Sequence, residues 1–193
     1  MNDILNLQRP RTLDGIERDA ATIGFSMAAE IRTGALLRTL AASKPGGSLL
    51  ELGTGVGAST SWILDGMDSS ASLLTVDNDR NCMEIARRYL GHDHRITFHL
   101  GDGAGFLGTL RGRKFDLIFA DTWPGKFDHL EEALGLLQPG GIYTIDDLLP
   151  QPNWPPGHTL KVPALIHQLE NDSRLVCCKL VWSSGLLIAA RRA

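Results

Sequence analysis

Cysteine is scarce in this chain of 193 residues, which contains three, Cys82, Cys177 and Cys178. Three thiols cannot build a complete disulfide framework, and a bond between two adjacent cysteines would be strained. The sequence therefore lacks the covalent cross-links of small secreted domains. Reduced thiols in a cytoplasmic protein are the simplest interpretation.

Long apolar stretches are missing as well. No run approaches the ~18–20 consecutive apolar residues that a membrane-spanning helix requires. Residues 1–19 carry charges throughout and lack the apolar centre of a secretory signal. We therefore expect no membrane segment and a cytoplasmic location.

An excess of positive charge is also absent. The sequence has 19 lysines and arginines against 22 aspartates and glutamates, which gives a formal net charge of −3 at pH 7. A protein that binds nucleic acid needs a basic surface to neutralise phosphates. The balance disfavours nucleic acid as a partner and leaves a small molecule as the expected one.

Glycine, in contrast, is abundant, with 21 glycines against 9 prolines. The chain length suits one domain, and 43% hydrophobic residues is an ordinary value for a globular protein. We predict a single domain over residues 1–193, with the surplus glycines at functional turns rather than in a low-complexity tract.

Short apolar runs alternate with helix-like stretches from residue 48 onward, which is typical of βαβ units around a parallel sheet. The predicted strands are 48–52, 72–76, 96–100, 115–120 and 141–145. The predicted helices lie near 58–66, 79–90, 103–111 and 127–138, the last ended by Pro139-Gly140-Gly141.

The two ends of the chain depart from this alternation. Residues 1–20 look like a polar lead-in, and apolar spacing predicts a helix within 24–43. Two strand-like runs, 174–182 and 186–190, flank a short Ser-Ser-Gly turn and predict an antiparallel hairpin at the sheet edge.

Acidic residues mark the carboxyl ends of the predicted parallel strands, the edge where open α/β sheets bind ligands. Because like charges repel, these carboxylates should be held by hydrogen-bond donors or by a cation. The residues are Glu51 in the first strand and Asp77, Asp102, Asp121, Asp146 and Asp147 after the following strands.

A glycine-rich turn follows the first predicted strand. Gly53-Thr54-Gly55-Val56-Gly57-Ala58 satisfies the loose dinucleotide pattern G-x-G-x-x-A, and Asp77 is placed to accept hydrogen bonds from a ribose. Nicotinamide dinucleotides and S-adenosylmethionine both carry such a ribose. The turn and Asp77 alone leave the choice between these two cofactors open.

A longer set of motifs resembles one family. Residues 51–59, ELGTGVGAS, resemble the motif E-x-G-x-x-x-G-x-S of the catechol and caffeoyl-CoA type O-methyltransferases, which are class I S-adenosylmethionine-dependent methyltransferases. Further similarity covers Met27 ahead of Gly34-Ala35-Leu36-Leu37, the strand ending at Asp77, the turn Gly101-Asp102-Gly103, residues 115–123, and Leu137 to Gly141 ahead of Asp146-Asp147. The resemblance extends over roughly residues 24–150.

The resemblance implies a Rossmann-like methyltransferase fold with a mostly parallel seven-stranded sheet and a C-terminal antiparallel hairpin. It implies that residues 1–43 form a helical lead-in that covers the cofactor site, and that the chain forms a homodimer. It also implies that S-adenosylmethionine is bound by Met27, Glu51, Gly53, Gly55, Gly57, Ser59, Asp77, Asp102, Gly103, Asp121 and Trp123.

The same resemblance implies catalytic roles for Asp121 and Lys126 and a divalent cation, such as Mg²⁺, on Asp121, Asp146 and Asp147. The sequence departs from the family at two of these positions. Asp147 stands where the family has asparagine, which keeps an oxygen ligand and adds charge. Lys126 is displaced by two residues or more from the family's lysine, and Asp146-Asp147 can instead serve to cap a turn.

The expected activity is methyl transfer from S-adenosylmethionine to oxygen of a small hydroxylated molecule, with phenols among the candidate acceptors and a divalent cation as an optional aid. The alternatives are a metal-independent N-methyl or aminopropyl transferase on the same fold, a nicotinamide-dependent oxidoreductase, and a binding protein that retains the cofactor without turnover. Trp154, in the proline-rich segment 151–158, is interpreted either as an apolar wall for a substrate ring or as part of a surface loop. Trp123 is interpreted as an adenine contact or as core packing.

Overall fold

The computed structural model describes residues 2–193, and its central element is a sheet of seven strands in the order β3-β2-β1-β4-β5-β7-β6. The strands are β1 (Ser48–Leu52), β2 (Ser72–Asp77), β3 (Ile96–Leu100), β4 (Phe115–Ala120), β5 (Leu137–Ile145), β6 (Leu175–Leu180) and β7 (Leu186–Arg191). Strands β1 to β5 run parallel, whereas β7 pairs antiparallel with both β5 and β6. The mostly parallel sheet and its C-terminal hairpin are confirmed.

Seven helices cover the two faces of the sheet. They are α1 (Leu13–Thr22), α2 (Ile31–Ala42), α3 (Ala58–Gly66), α4 (Arg80–Leu90), α5 (Gly103–Thr109), α6 (Leu130–Leu136) and α7 (His158–Glu170). Alternate residues of the strands point to opposite faces. Leu49 therefore joins a core with helices α1 to α4, and Leu50 joins a second core with α5 to α7.

The beginning of the chain differs from its predicted form. Residues 1–20 were expected to be a polar lead-in, but from Leu13 onward they belong to helix α1, which buries Leu13, Ile16 and Ala20. The helix expected within 24–43 begins only at Ile31. Gly24 adopts a φ of +70°, which a helix cannot contain, and the chain that follows it lines the candidate site described below.

The predicted bounds of the helix near 127–138 were wrong at both ends. Helix α6 covers only Leu130–Leu136, and strand β5 begins at Leu137. The Pro-Gly-Gly segment lies inside the strand, where the register of β4 and β5 shifts between Phe115 and Leu117. A strand irregularity accommodates proline and glycine, so these residues mark a bulge rather than a helix end.

Helix α7 had no counterpart among the predicted elements. Pro163 lies inside it and a proline-rich segment precedes it, and both features point away from a helix. The signal that identifies it is the spacing of its buried residues Val162, Leu165 and Leu169. Across residues 2–193, no helix is both long and apolar enough to cross a bilayer.

Candidate functional site

The turn between β1 and α3 holds three glycines in conformations that other residues rarely adopt. The φ angles are +103° at Gly53, +51° at Gly55 and +90° at Gly57. A Cβ atom on Gly53 would lie 2.9 Å from the carbonyl oxygen of Asp121, and one on Gly57 would lie 3.1 Å from the Cα of Ala86. Glycine is therefore required both by the backbone and by the close approach of neighbouring chain.

Asp77, at the carboxyl end of β2, fixes this turn from the side. Its Oδ2 accepts a hydrogen bond from the backbone N–H of Gly55 at 2.7 Å, and its Oδ1 accepts one from Asp79 at 2.9 Å. A carboxylate oxygen has two lone pairs, so each oxygen retains capacity for another donor. Asp77 thus orders the turn and still presents a carboxylate to a ligand.

Glu51 lies beneath the turn and is fully buried. The hydroxyls of Ser59, Thr60 and Thr75 donate hydrogen bonds to its carboxylate at 2.6–2.7 Å. Burial raises the pKa of Glu51 to about 7, although the three hydrogen bonds act in the opposite direction. Because its carboxylate is enclosed by the chain's own hydroxyls, Glu51 ties β1 to α3 and β2 instead of facing the cleft.

A cavity of about 350 Å³ opens above the glycine turn. Most of the residues predicted to bind a cofactor line it, which places them around one space. They are Met27, Gly53, Gly55, Ser59, Asp77, Asp121 and Trp123, joined by Lys126. We call this space the first cavity.

Four predicted cofactor residues are not part of that lining, namely Glu51, Gly57, Asp102 and Gly103. Gly57 is turned toward α4, as its close approach to Ala86 shows. Asp102 caps helix α5, where its Oδ2 accepts a hydrogen bond from the N–H of Gly105 at 2.7 Å. A direct cofactor contact by Asp102 stays a prediction of the family resemblance.

A second cavity of about 310 Å³ adjoins the first. The two share Met27, Ala28, Ala29, Asp121 and Asp147, so they meet at this wall. The second cavity is lined by small and polar residues and contains no aromatic ring: its remaining lining is Ser26, Glu30, Asp146, Gln151, Pro152, Asn153 and Ser184.

Lys126 reaches the first cavity despite its displaced position in the sequence. Its side chain is 2% exposed, and its Nζ lies 3.9 Å from Oδ1 of Asp121. Burial raises the pKa of Asp121 well above its usual range, and the Lys126 ammonium opposes that shift. The two predicted catalytic residues therefore lie beside each other, with Lys126 buried in the lining of the first cavity and Asp121 lining both cavities.

Asp146 and Asp147 follow β5 at the same wall. Oδ1 of Asp146 accepts hydrogen bonds from the Ser184 hydroxyl and from the backbone N–H of Asp147. Burial raises the pKa of Asp146 to about 6. Asp147 has a φ of +58°, a left-handed conformation that aspartate tolerates better than most residues.

The predicted metal ligands do not form a cation site. Across residues 2–193, no three Asp, Glu, His or Cys side chains converge closely enough to hold a metal ion. Asp121 has an ammonium beside it, and one oxygen of Asp146 already accepts two hydrogen bonds. The donor set therefore does not fit Mg²⁺, which requires nearly octahedral oxygen coordination.

His158 is a site residue that the sequence interpretation missed. It is 4% exposed, lines the first cavity, and its Nε2 lies 3.0 Å from the carbonyl oxygen of Asp147. Its ring stacks on Trp154 with centroids 4.2 Å apart, and burial lowers its pKa. His158 was missed because it is the first residue of α7, an element that the sequence analysis did not predict.

Trp123 lines one of the cavities, whereas Trp154 lines neither. Trp123 lines the first cavity, as expected of a cofactor contact, and the Lys161 ammonium lies 4.9 Å from its ring centroid. Trp154 lines neither cavity and packs against the core of α5 to α7 behind His158. Trp154 is therefore a support for His158 and not a substrate wall.

Sequence comparison identifies the family to which the chain belongs. Residues 50–148 match the family model of a methyltransferase domain. A protein from Mycobacterium tuberculosis (strain ATCC 25618 / H37Rv), named as a probable O-methyltransferase, is 31% identical over 138 residues, which are 69% of this chain and 61% of that protein. A relative from Mycobacterium avium (strain 104) is 31% identical over 117 residues, 58% of this chain and 53% of the relative, so the match spans little more than half of the curated relative.

Solved structures show the same fold at lower sequence identity. An O-methyltransferase from Bacillus cereus in complex with S-adenosylhomocysteine has a TM-score of 0.84 at 22% identity, covering 98% of this chain and 94% of that one. The O-methyltransferase TomG from Streptomyces achromogenes, in complex with S-adenosylmethionine and involved in tomaymycin synthesis, has a TM-score of 0.83 at 22% identity, covering 98% and 93%.

Proposed function

The chain belongs to the methyltransferase domain family, and from that premise we propose that it transfers a methyl group from S-adenosylmethionine to a hydroxyl oxygen of a small polar molecule. The observation that carries this proposal is the first cavity, built from the glycine turn and Asp77 and open to a second cavity at Asp121. One space suits a nucleoside cofactor, and the other suits an acceptor beside it.

The charge of the first cavity favours S-adenosylmethionine over a nicotinamide dinucleotide. Asp77, Asp79, Asp121 and Asp147 contribute four carboxyl groups to the lining, and Lys126 contributes its single basic side chain of lysine or arginine type. S-adenosylmethionine carries a sulfonium and an ammonium, which such a lining attracts. A pyrophosphate would be repelled by the same carboxylates.

Asp77 is the residue that we assign to the ribose. Its oxygens already accept hydrogen bonds from Gly55 and Asp79, each can accept a further one, and the residue lines the first cavity. Hydrogen bonds from two ribose hydroxyls to one charged carboxylate are among the stronger ones in proteins. The turn and the nucleoside would thus be ordered by the same side chain.

The wall between the cavities is where the reaction would take place. The bound cofactor supplies an electrophilic methyl group on a positively charged sulfur. Attack of the acceptor oxygen on this methyl group would release S-adenosylhomocysteine, and Asp121, which lines both cavities, would accept the hydroxyl proton. Holding the acceptor in line with that bond is the main contribution of the protein.

The lining of the second cavity indicates the class of acceptor. It offers carboxylates, amides and two serine hydroxyls and contains no aromatic side chain, so it suits a hydroxylated polar molecule better than a bare phenol. A phenolic acceptor stays a prediction of the family resemblance alone.

Two measurements test the proposal. Isothermal titration calorimetry with S-adenosylhomocysteine and with NADH should show binding of the first and none of the second. A screen with methyl-labelled S-adenosylmethionine over small polyols, phenols, catechols and amines should label a hydroxyl compound. Binding of NADH without S-adenosylhomocysteine would contradict the cofactor assignment, and labelling of amines alone would favour the N-methyl alternative.

A further inference from the structure

We propose that the Lys126 ammonium supplies the positive charge beside Asp121, the residue at which the two cavities meet, so that this protein binds no divalent cation there. The inference rests on the proposed function, because it concerns the same site. The three predicted metal ligands, Asp121, Asp146 and Asp147, do not form a donor set that fits a divalent cation across residues 2–193.

The Lys126 ammonium lies close to Asp121, the first of the predicted metal ligands. Lys126 Nζ lies 3.9 Å from Oδ1 of Asp121, the carboxylate that lines both cavities. A divalent cation on Asp121 would stand within a few ångströms of this charge, and the two positive charges would repel each other strongly inside the protein. Lys126 is thus a positive charge already present beside this carboxyl group.

Lys126 is fixed in this position by burial and by the turn that carries it. Its side chain is 2% exposed, and its backbone N–H donates a hydrogen bond to the carbonyl of Trp123 at 3.0 Å. The turn that carries it contains Gly125, whose φ is +86° and whose carbonyl accepts a hydrogen bond from the Tyr143 hydroxyl. A Cβ atom on Gly125 would lie 2.3 Å from Leu52 Cδ1, so this turn is packed closely against the sheet.

Asp146, another of the predicted ligands, is buried and already hydrogen-bonded within the chain. Asp146 is 2% exposed and directs Oδ1 to Ser184 and to the backbone N–H of Asp147. Across residues 2–193, no three potential ligands meet around one point. Lys126 is therefore a cation fixed in the first cavity beside Asp121, and its three N–H donors can stabilise negative charge that develops on an acceptor oxygen held near Asp121.

Direct cation binding is the first test and needs no turnover. Calorimetric titration of the protein saturated with S-adenosylhomocysteine should show no saturable binding of MgCl₂ or MnCl₂ at millimolar concentrations. Saturable binding of about one ion per chain that disappears in Asp146→Ala would overturn the inference. Because the measurement uses only cofactor product and salt, it decides the point even if no acceptor is ever methylated, an outcome that would contradict the proposed function instead.

The second test separates charge from packing. Lys126→Met keeps most of the side-chain volume and should lower kcat by on the order of 100-fold, the usual effect of removing one such donor, while the affinity for S-adenosylhomocysteine changes little. Lys126→Arg, which restores the charge, should recover part of the activity. Lys114→Met, at a lysine whose ammonium donates to the Gly135 carbonyl on the surface, should behave as the wild type.

Thermal unfolding of each variant shows whether it is folded, and if Lys126→Met is not, the comparison of Lys126→Arg with the wild type replaces it. Wild-type activity that EDTA abolishes and Mg²⁺ restores would overturn the inference. So would a folded Lys126→Met variant with the wild-type kcat. Activity unchanged by EDTA, together with the loss in Lys126→Met and its recovery in Lys126→Arg, would support it.

Discussion

Glu51 is a carboxylic acid enclosed at the foot of the glycine turn, and its environment makes the protein sensitive to pH. Burial raises its pKa in the folded state to about 7, from an ordinary value of 4.5. The folded protein therefore holds this proton more tightly than the unfolded chain does, and the contribution of Glu51 to stability decreases as the pH rises from about 4.5 to about 7. A shift of this size corresponds to about 3 kcal/mol.

Replacing Glu51 by glutamine removes the titrating group. We expect the free energy of unfolding of Glu51→Gln, relative to the wild type, to increase between pH 5 and pH 8 by up to about 3 kcal/mol, because only the wild type must ionise a buried acid. Urea denaturation at several pH values measures this difference. Glu84→Gln, at an exposed position of α4, serves as the control, and a Glu51→Gln profile parallel to the wild type would contradict the prediction.

Individual site residues differ in how far the sequence could place them. Gly53, Gly55 and Asp77 follow strand ends, and parallel strands bring their ends together, so their meeting at one cavity is predictable from spacing. The role of Glu51 was not, because three hydroxyls from α3 and β2 converge on it only in the fold. His158 lies far along the chain, and its approach to Asp147 depends on a helix that proline concealed.

At the scale of elements, the glycine turn sets the start of α3 and its packing on α4. Gly57 is the residue before α3, with a φ of +90°, and a Cβ there would lie 3.0 Å from Ala86 Cβ and 3.1 Å from its Cα. Alanine at this position would combine a strained backbone with a contact that requires α4 to move.

We expect Gly57→Ala to destabilise the protein by about 1–3 kcal/mol and to weaken binding of S-adenosylhomocysteine, because the turn must shift. Gly108→Ala is the matched control, since a Cβ at this α5 position meets nothing within 4 Å. The control should be neutral or more stable by up to about 1 kcal/mol. Chemical denaturation and calorimetry check both variants, and equal effects of the two substitutions would contradict this account.

The elements themselves were predictable where their periodicity was undisturbed. Strands β1, β2 and β4 contain buried runs bounded by turns, whereas β3 is only partly buried, and the structure forms all four within one residue of the predicted bounds. Prediction failed where glycine or proline serves a local purpose, as in the register shift of β5 and the proline inside α7. Such residues usually end elements, and only tertiary contacts show that here they lie within them.

At the scale of the whole molecule, the site depends on segments that meet only when the sheet is complete. The segment before α2 and the segment between β5 and α7 close the second cavity, and the Asn153 side chain donates a hydrogen bond to the carbonyl of Ser26 at 3.2 Å. No local pattern in the sequence predicts this contact, because 127 positions separate the two residues. The homodimer implied by the family resemblance stays a prediction that sedimentation analysis can test.

Because the cavities exist only in the folded chain, a ligand that occupies them must stabilise the whole protein by mass action. S-adenosylhomocysteine at about 100 times its Kd should add about 2.7 kcal/mol. For a chain of this size, that corresponds to an increase in Tm of roughly 5–10 °C. Removing the Asp77 carboxylate in Asp77→Ala deletes the proposed ribose acceptor and the partner of the Gly55 N–H, and should weaken affinity by roughly 10- to 100-fold.

At the same ligand concentration, the increase in Tm for Asp77→Ala should therefore fall to a few degrees or less. Asp14→Ala, at an aspartate whose side chain is 76% exposed, should keep the full increase. NADH should leave the Tm of all three proteins unchanged, since the carboxylates of the first cavity oppose a pyrophosphate. An equal increase in Tm for Asp77→Ala and the wild type would show that Asp77 does not contribute to cofactor binding. Its role would then be limited to ordering the turn.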